Sequence, residues 1–262
     1  MPTLRQQALS VVVESNPGRK ASIARSSDPT LPAGAACDLA TSSVVPGRPE
    51  HPLLVPPTDV VRRSVSTREG RAAMIHALAH IELNAIDLAA DACWRYAGLP
   101  DDFYRDWSRV MREEALHFQL LCAHLETLDH RYGDFPAHNA LWEMAERTRD
   151  DVVARVALVP RTLEARGLDA SPAVRHKLAS AGDAAGARII DLILQDEIGH
   201  VAVGNRWYAW LCERDGLDPV TTYASLVVRH GAPRLRPPFN LEARQQAGFT
   251  SAELAVLQTE PL

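Results

Sequence analysis

The chain has 262 residues, 46% of them apolar and 23% charged, with a formal net charge of -5, a composition typical of globular proteins and long enough to bury a sizeable core. The acidic balance argues against a general nucleic-acid or anionic-membrane binder. No apolar run approaches the ~20 residues that span a bilayer. The apolar run over 9–13, broken by Ser10, is too short for a signal peptide. The four cysteines, Cys37, Cys93, Cys122 and Cys212, form no Cys-x-x-Cys, which excludes the usual zinc-ribbon, rubredoxin and thioredoxin spacings. They read as small core residues in a reducing compartment, so a cytoplasmic location and no membrane association are expected.

Residues 1–58 read as an irregular N-terminal arm. A short helix is expected over 4–14, stopped by Asn16-Pro17-Gly18. A Ser/Ala/Gly/Pro-rich stretch without a period follows, and it reads as extended. The second region, 59–215, carries helical periodicity. A first helix starts at Ser66 or Thr67, where Ile75, Leu78, Glu82, Ile86, Ala89 and Cys93 recur at spacings of three and four. Gly98-Leu99-Pro100-Asp101-Asp102 ends it and opens a second helix over 102–130. Its stripe is Trp107, Val110, Glu114, His117/Phe118, Leu121, Leu125 and Leu128. A third is expected over 138–165, with Trp142, Val153, Val156, Ala157 and Leu163 inward and a kink at Pro160. A short helix after Pro172 and a fourth long helix over 184–214 follow. The latter carries Ile190, Ile193, Glu197, His200/Val201, Gly204, Tyr208 and Leu211. Residues 216–262 read as a proline-rich C-terminal extension packing on the helices, with a short helix over 250–257. With no strand period anywhere, the expected fold class is all-α.

Three of these stripes hold an acid at mid-length, and two acids are followed by His at +3: Glu114-x-x-His117 and Glu197-x-x-His200. On a helix such a pair shares one face about one turn apart. Carboxylates buried together without a cation are unfavourable, because desolvation and mutual repulsion both oppose ionisation. Two divalent ions against four carboxylates resolve that conflict. The expected metal ligands are Glu82, Glu114, His117, Glu164, Glu197 and His200. The third helix offers Glu143, Glu146 and Glu164. Glu164 is preferred because Glu82 to Glu114 spans 32 residues and Glu164 to Glu197 spans 33, with Glu146 left open. The acids before each motif, Glu113 and Asp196, are placed to orient the histidine of the opposite motif. His76 and His80 read as hydrogen-bonded neighbours of the site, and Arg229, His230, Arg234 and Arg236 as a solvated basic loop.

The pattern Glu82, Glu114-x-x-His117, a third-helix acid and Asp196-Glu197-x-x-His200 resembles the ferritin-like di-iron carboxylate superfamily. More narrowly, His80-Ile81-Glu82-Leu83-Asn84-Ala85-Ile86-Asp87, Tyr132-Gly133-Asp134-Phe135-Pro136-Ala137-His138 and Pro160-Arg161-Thr162-Leu163-Glu164-Ala165-Arg166-Gly167-Leu168-Asp169 resemble an uncharacterised bacterial family of ferritin-like proteins. The resemblance implies a ferritin-like four-helix bundle with a dinuclear site, and it supports Glu164 over Glu146. The expected function is oxidation or hydroxylation of an organic small molecule with dioxygen, using two metal ions, iron first, with manganese or a mixed pair as alternatives, and an external electron donor. A tRNA substrate stays open through similarity to the tRNA-modifying di-iron hydroxylases. The alternative is a ferroxidase or iron-handling protein without an organic substrate, which the proline-rich extensions fit poorly.

Overall fold

Polar caps and glycine stops at the chain's own punctuation set the helix boundaries. The computed structural model describes residues 2–259. Among them there is no strand, only one isolated parallel bridge between Leu54 and Ala137, so the fold is all-α. No described helix is long and apolar enough to cross a membrane. The chain divides into two compact units, residues 2–142 with 177–189, and residues 143–176 with 190–259.

The first unit is built on two long helices, α3 (Arg68–Arg95) and α4 (Asp101–Thr127). The Thr67 hydroxyl caps α3 by accepting the Gly70 N–H, and Asp101 and Asp102 place negative charge at the positive end of α4. The pairs Arg68–Thr127, Glu82–His117 and Cys93–Tyr104 show an antiparallel hairpin closed at Gly98, whose φ is +74°. Every position of the α4 stripe is buried, as the period predicts. The short helix expected over 4–14 is present, and a second helix occupies the start of the stretch expected to be extended. α1 (Leu4–Val13) packs on α3, and α2 (Pro17–Arg25) packs on α4. Asn16-Pro17 ends one helix and starts the next, with Asn16 accepting the Arg19 N–H and Pro17 in the first turn, where its missing donor costs nothing. Arg5, 2% exposed, ties α1 down by donating to the carbonyls of Trp94, Gly34, Ala35 and Cys37. Lys20 of α2 is buried against Asp87 of α3 and donates to Gly47 O at 3.0 Å.

The single helix expected over 138–165 is broken into three pieces before a further helix begins at Ala165. α5 (Ala140–Arg147) ends at Thr148, and Asp151 caps α6 (Val152–Leu158) by accepting the Ala154 N–H at 2.9 Å. At Pro160 the helix widens into a π-helical turn, Val159–Glu164, rather than simply kinking. The wider turn absorbs the missing proline donor. Within it the Thr162 hydroxyl donates to Ala157 O at 2.8 Å. α7 (Ala165–Ser180) runs on through Pro172, absorbing the separate short helix, and α8 (Ala184–Asp215) follows. Ala165, Leu168, Val201, Ala243 and Ala247 form a core joining α7 and α8 to α10 (Leu241–Gln246). Where α8 meets the π turn there is no room for a side chain: a Cβ on Gly204 would lie 2.9 Å from Pro160 Cβ. The tail holds more helix than the sequence suggests. α9 (Pro219–His230) is capped by Asp218 and ended by Gly231 at φ +60°, and α11 (Ser251–Thr259) lies over the expected terminal helix.

Candidate metal centre

Glu82 stands midway along α3, and Glu114 and His117 stand one turn apart on α4, so the antiparallel hairpin brings all three to one level. Glu114 and His117 are fully buried and Glu82 is 4% exposed. His117 Nδ1 lies 3.1 Å from Glu82 Oε2 and 3.2 Å from Glu114 Oε2. One ligand atom from each residue falls within 4.8 Å of the others. Two carboxylates and an imidazole at this separation, within a buried core, can hold a metal ion. The donor set suits manganese, iron or zinc. Burial disfavours a charged imidazole, but hydrogen bonds to Glu114 and Glu82 outweigh it and push His117 up to about 11. Without a metal, a proton on His117 Nδ1 therefore supplies the positive charge between the two carboxylates.

The second motif lies on α8 in the second unit. His200 is fully buried and Glu197 is 7% exposed, with His200 Nδ1 3.6 Å from Glu197 Oε1. The repeated acid-to-His spacing thus produces a buried carboxylate–imidazole pair in each unit. The acids preceding the motifs are partly exposed: Glu113 is approached by Arg109 Nη1 at 3.4 Å, and Asp196 is half-buried. Of the third-helix candidates, Glu143 and Glu146 are exposed and paired with Arg147 and Arg149, whereas Glu164 is half-buried at the end of the π turn.

Six and two residues before Glu82, α3 carries His76 and His80, both buried and held down to about 4 chiefly by desolvation, hence neutral. Gly133 N–H donates to His76 Nε2 at 3.0 Å, so the ring proton is on Nδ1. His80 donates from Nε2 to His138 O at 3.1 Å and accepts the Tyr132 hydroxyl at Nδ1, 2.8 Å away. Tyr132 stacks on both rings, with centroids 5.2 and 6.2 Å apart, and meets Phe118 of α4 edge-on. The loop after α4 is thereby latched onto the helix that carries Glu82. This agrees with the hydrogen-bonded role expected of the two histidines.

A family described as a protein of unknown function (DUF455) matches residues 13–255. The chain belongs to this family. An uncharacterized protein of Haemophilus influenzae is 50% identical over 213 residues, which cover 79% of this chain and 74% of that protein. No solved structure matches. The DUF455 match runs from the end of α1 into α11 and includes both Glu-x-x-His motifs.

The buried pair of Lys20 on α2 and Asp87 on α3, five residues beyond Glu82, is not among the features expected of this DUF455 chain from its sequence. Desolvation raises Asp87 to about 6 against the opposing pull of Lys20. The available signal was the acid pair Asp87 and Asp91, four apart on an otherwise apolar helix. Both are buried, and Asp91 is bound by Arg95 at 3.0 and 3.1 Å.

Proposed function

We propose that this chain is a dinuclear-metal oxidoreductase, with a di-iron centre that activates dioxygen to oxidise or hydroxylate an organic substrate. The observation that carries the reading is the buried group Glu82, Glu114 and His117, whose ligand atoms cluster within 4.8 Å. In the proposal Glu164, Glu197 and His200 complete the ligand set, with Glu113 and Asp196 orienting the histidines. The bundle would be ferritin-like, made of α3, α4, the π-interrupted run from α6 into α7, and α8. Glu164 is preferred to Glu146 on its burial, since a solvent-exposed carboxylate already paired with arginine makes a poor core ligand.

When bound, the metal pair would supply redox chemistry and dioxygen binding that amino-acid side chains lack. The chain's own contribution is to hold and orient. The latch of His76, His80 and Tyr132 fixes the Glu82 segment of α3. The apolar stripe of Val110, Leu121 and Leu125 along α4 keeps water from the buried carboxylates. His117 gives up its Nδ1 proton when it becomes a ligand. The free thiols of Cys37, Cys93, Cys122 and Cys212 suit the reducing cytoplasm in which this reading sets the protein.

Elemental analysis of the purified protein, followed by anaerobic Fe(II) reconstitution and Mössbauer spectroscopy, tests the reading. Two irons per chain forming a magnetically coupled pair, and dioxygen consumption on exposure to air, are expected. Fewer than two metals per chain after loading with either iron or manganese would end it. Oxygen uptake in which iron is the only species oxidised, with a cage-sized assembly on a sizing column, would favour the ferroxidase alternative.

A further inference from the structure

The second unit contains a cavity of 330 Å³ that the metal reading leaves unused. Its walls are largely apolar, formed by Pro219, Val220 and Tyr223 of α9, Leu235 of the next loop, Phe249, and Val256 of α11. The volume falls at the lower end of the range for small-ligand sites, about 300–1,000 Å³. Two deeply buried guanidinium groups also line it, Arg161 of the π turn at 6% exposure and Arg244 of α10 at 1%. Arg161 donates from Nε to Asn205 Oδ1 at 2.9 Å and from Nη2 to Glu253. Arg244 donates from Nε and Nη2 to Asp169 at 3.0 and 2.7 Å. Both lie over the Phe249 ring, at 5.0 and 5.2 Å from its centroid. No hydrogen bond from Nη1 of either arginine is made to a described residue.

An arginine remains charged at any physiological pH, and its remaining N–H groups can still donate to a ligand. Glu253 and Asp169 balance the two buried charges. Arg234 and Arg236 are exposed on either side of Leu235, which lines the cavity. The rim is apolar and open, with Val220 54% and Val256 39% exposed. We propose that this cavity binds a carboxylate carried on an apolar chain. The carboxylate accepts from Nη1 of Arg161 and Arg244, where planar guanidinium groups match its geometry, and the chain lies along Tyr223, Leu235 and Val256. None of the residues lining the cavity is among the proposed metal ligands, so binding here is tested separately from the metal centre.

Isothermal titration of the full-length protein with decanoate, decanol and decyl phosphate tests it, in metal-loaded and in chelated protein. One decanoate per chain is expected, bound at least tenfold more tightly than decanol and with the same affinity in both metal states. Ala224→Phe, on the exposed part of the lining, fills the cavity without touching either arginine. It should weaken decanoate binding tenfold or more while the melting temperature stays unchanged. Arg161→Lys, which keeps the charge and loses the fork, should narrow the gap between decanoate and decanol. Decanol binding as tightly as decanoate, tighter binding of decyl phosphate, or undiminished binding by the Ala224→Phe protein would each overturn the assignment.

Discussion

Metal binding at His117 should be steeply dependent on pH. In the metal-free protein the carboxylates of Glu114 and Glu82 overcome desolvation and hold this imidazole protonated up to about 11. A ligating imidazole must be neutral, so a metal ion entering there displaces one proton. From pH 6 to 8 the metal-free ring stays protonated, because the two carboxylates raise it well above the ordinary imidazole range. Apparent affinity should therefore rise tenfold per pH unit, a hundredfold over the window, or about 2.7 kcal/mol. Mn(II) titration of chelated protein at pH 6, 7 and 8, with proton release followed by an indicator dye in weak buffer, measures both quantities. Glu114→Gln removes a carboxylate that holds the proton and binds the metal, so it should lower both the affinity and the slope. The linkage runs the same way. A folded value raised above the ordinary 6.5 means that His117 stabilises the metal-free protein fully below that pH, and that the contribution fades as pH climbs toward 11. The stabilisation gained on adding metal should accordingly grow with pH. Equal affinities at pH 6 and 8, with no proton released, would refute this account of the site.

Three further outcomes test the frame around the site. Lys20→Met strands Asp87 in the core and should cost about 3–5 kcal/mol in urea denaturation, while adding Asp87→Leu should recover most of it; a single variant within about 1 kcal/mol of the parent would remove Lys20 from the account. His76 and His80, both depressed to about 4 by burial, stabilise the fold above their ordinary 6.5, and that contribution is lost as pH falls through 4, at most about 3 kcal/mol each. His76→Gln keeps an acceptor for the Gly133 N–H, so it should flatten part of this acid limb in melts from pH 7 to 4, and an unaltered limb would contradict the assignment. Gly204→Ala gains about 1 kcal/mol of helix propensity but puts a methyl 2.9 Å from Pro160 Cβ, and overpacking costs typically about 1–3 kcal/mol. The melting temperature should fall, and a rise would show that the π turn yields.

The long helices were legible because their signal is local and sustained. α3, α4 and α8 each repeat the apolar spacing over 27 residues or more, and their observed ends lie within three residues of the expected ones. The interrupting acids were legible for the same reason: Glu82, Glu114, His117, Glu197 and His200 occupy stripe positions, and all are buried. The short elements were not. α2, α6, α9 and α10 have 12 residues or fewer, too short to hold together by propensity alone, and they form where caps coincide with a surface to pack on. Asp151 and Asp218 were visible as caps in principle, but the apolar period running past Asp150-Asp151 masked the first.

Helical class, the antiparallel α3/α4 hairpin and the residues of the buried acidic group were thus determined by the sequence itself, because helix period and turn chemistry act over a few neighbouring residues. The tertiary structure alone decided that Lys20 neutralises Asp87 across 67 residues of chain. It alone decided which ring nitrogens of His76 and His80 carry protons, which third-helix glutamate is half-buried rather than exposed, and that Arg161 and Arg244 meet at one cavity. Each of these is an outcome of desolvation and long-range pairing. Those forces arise only once distant segments have packed, and no local pattern encodes them.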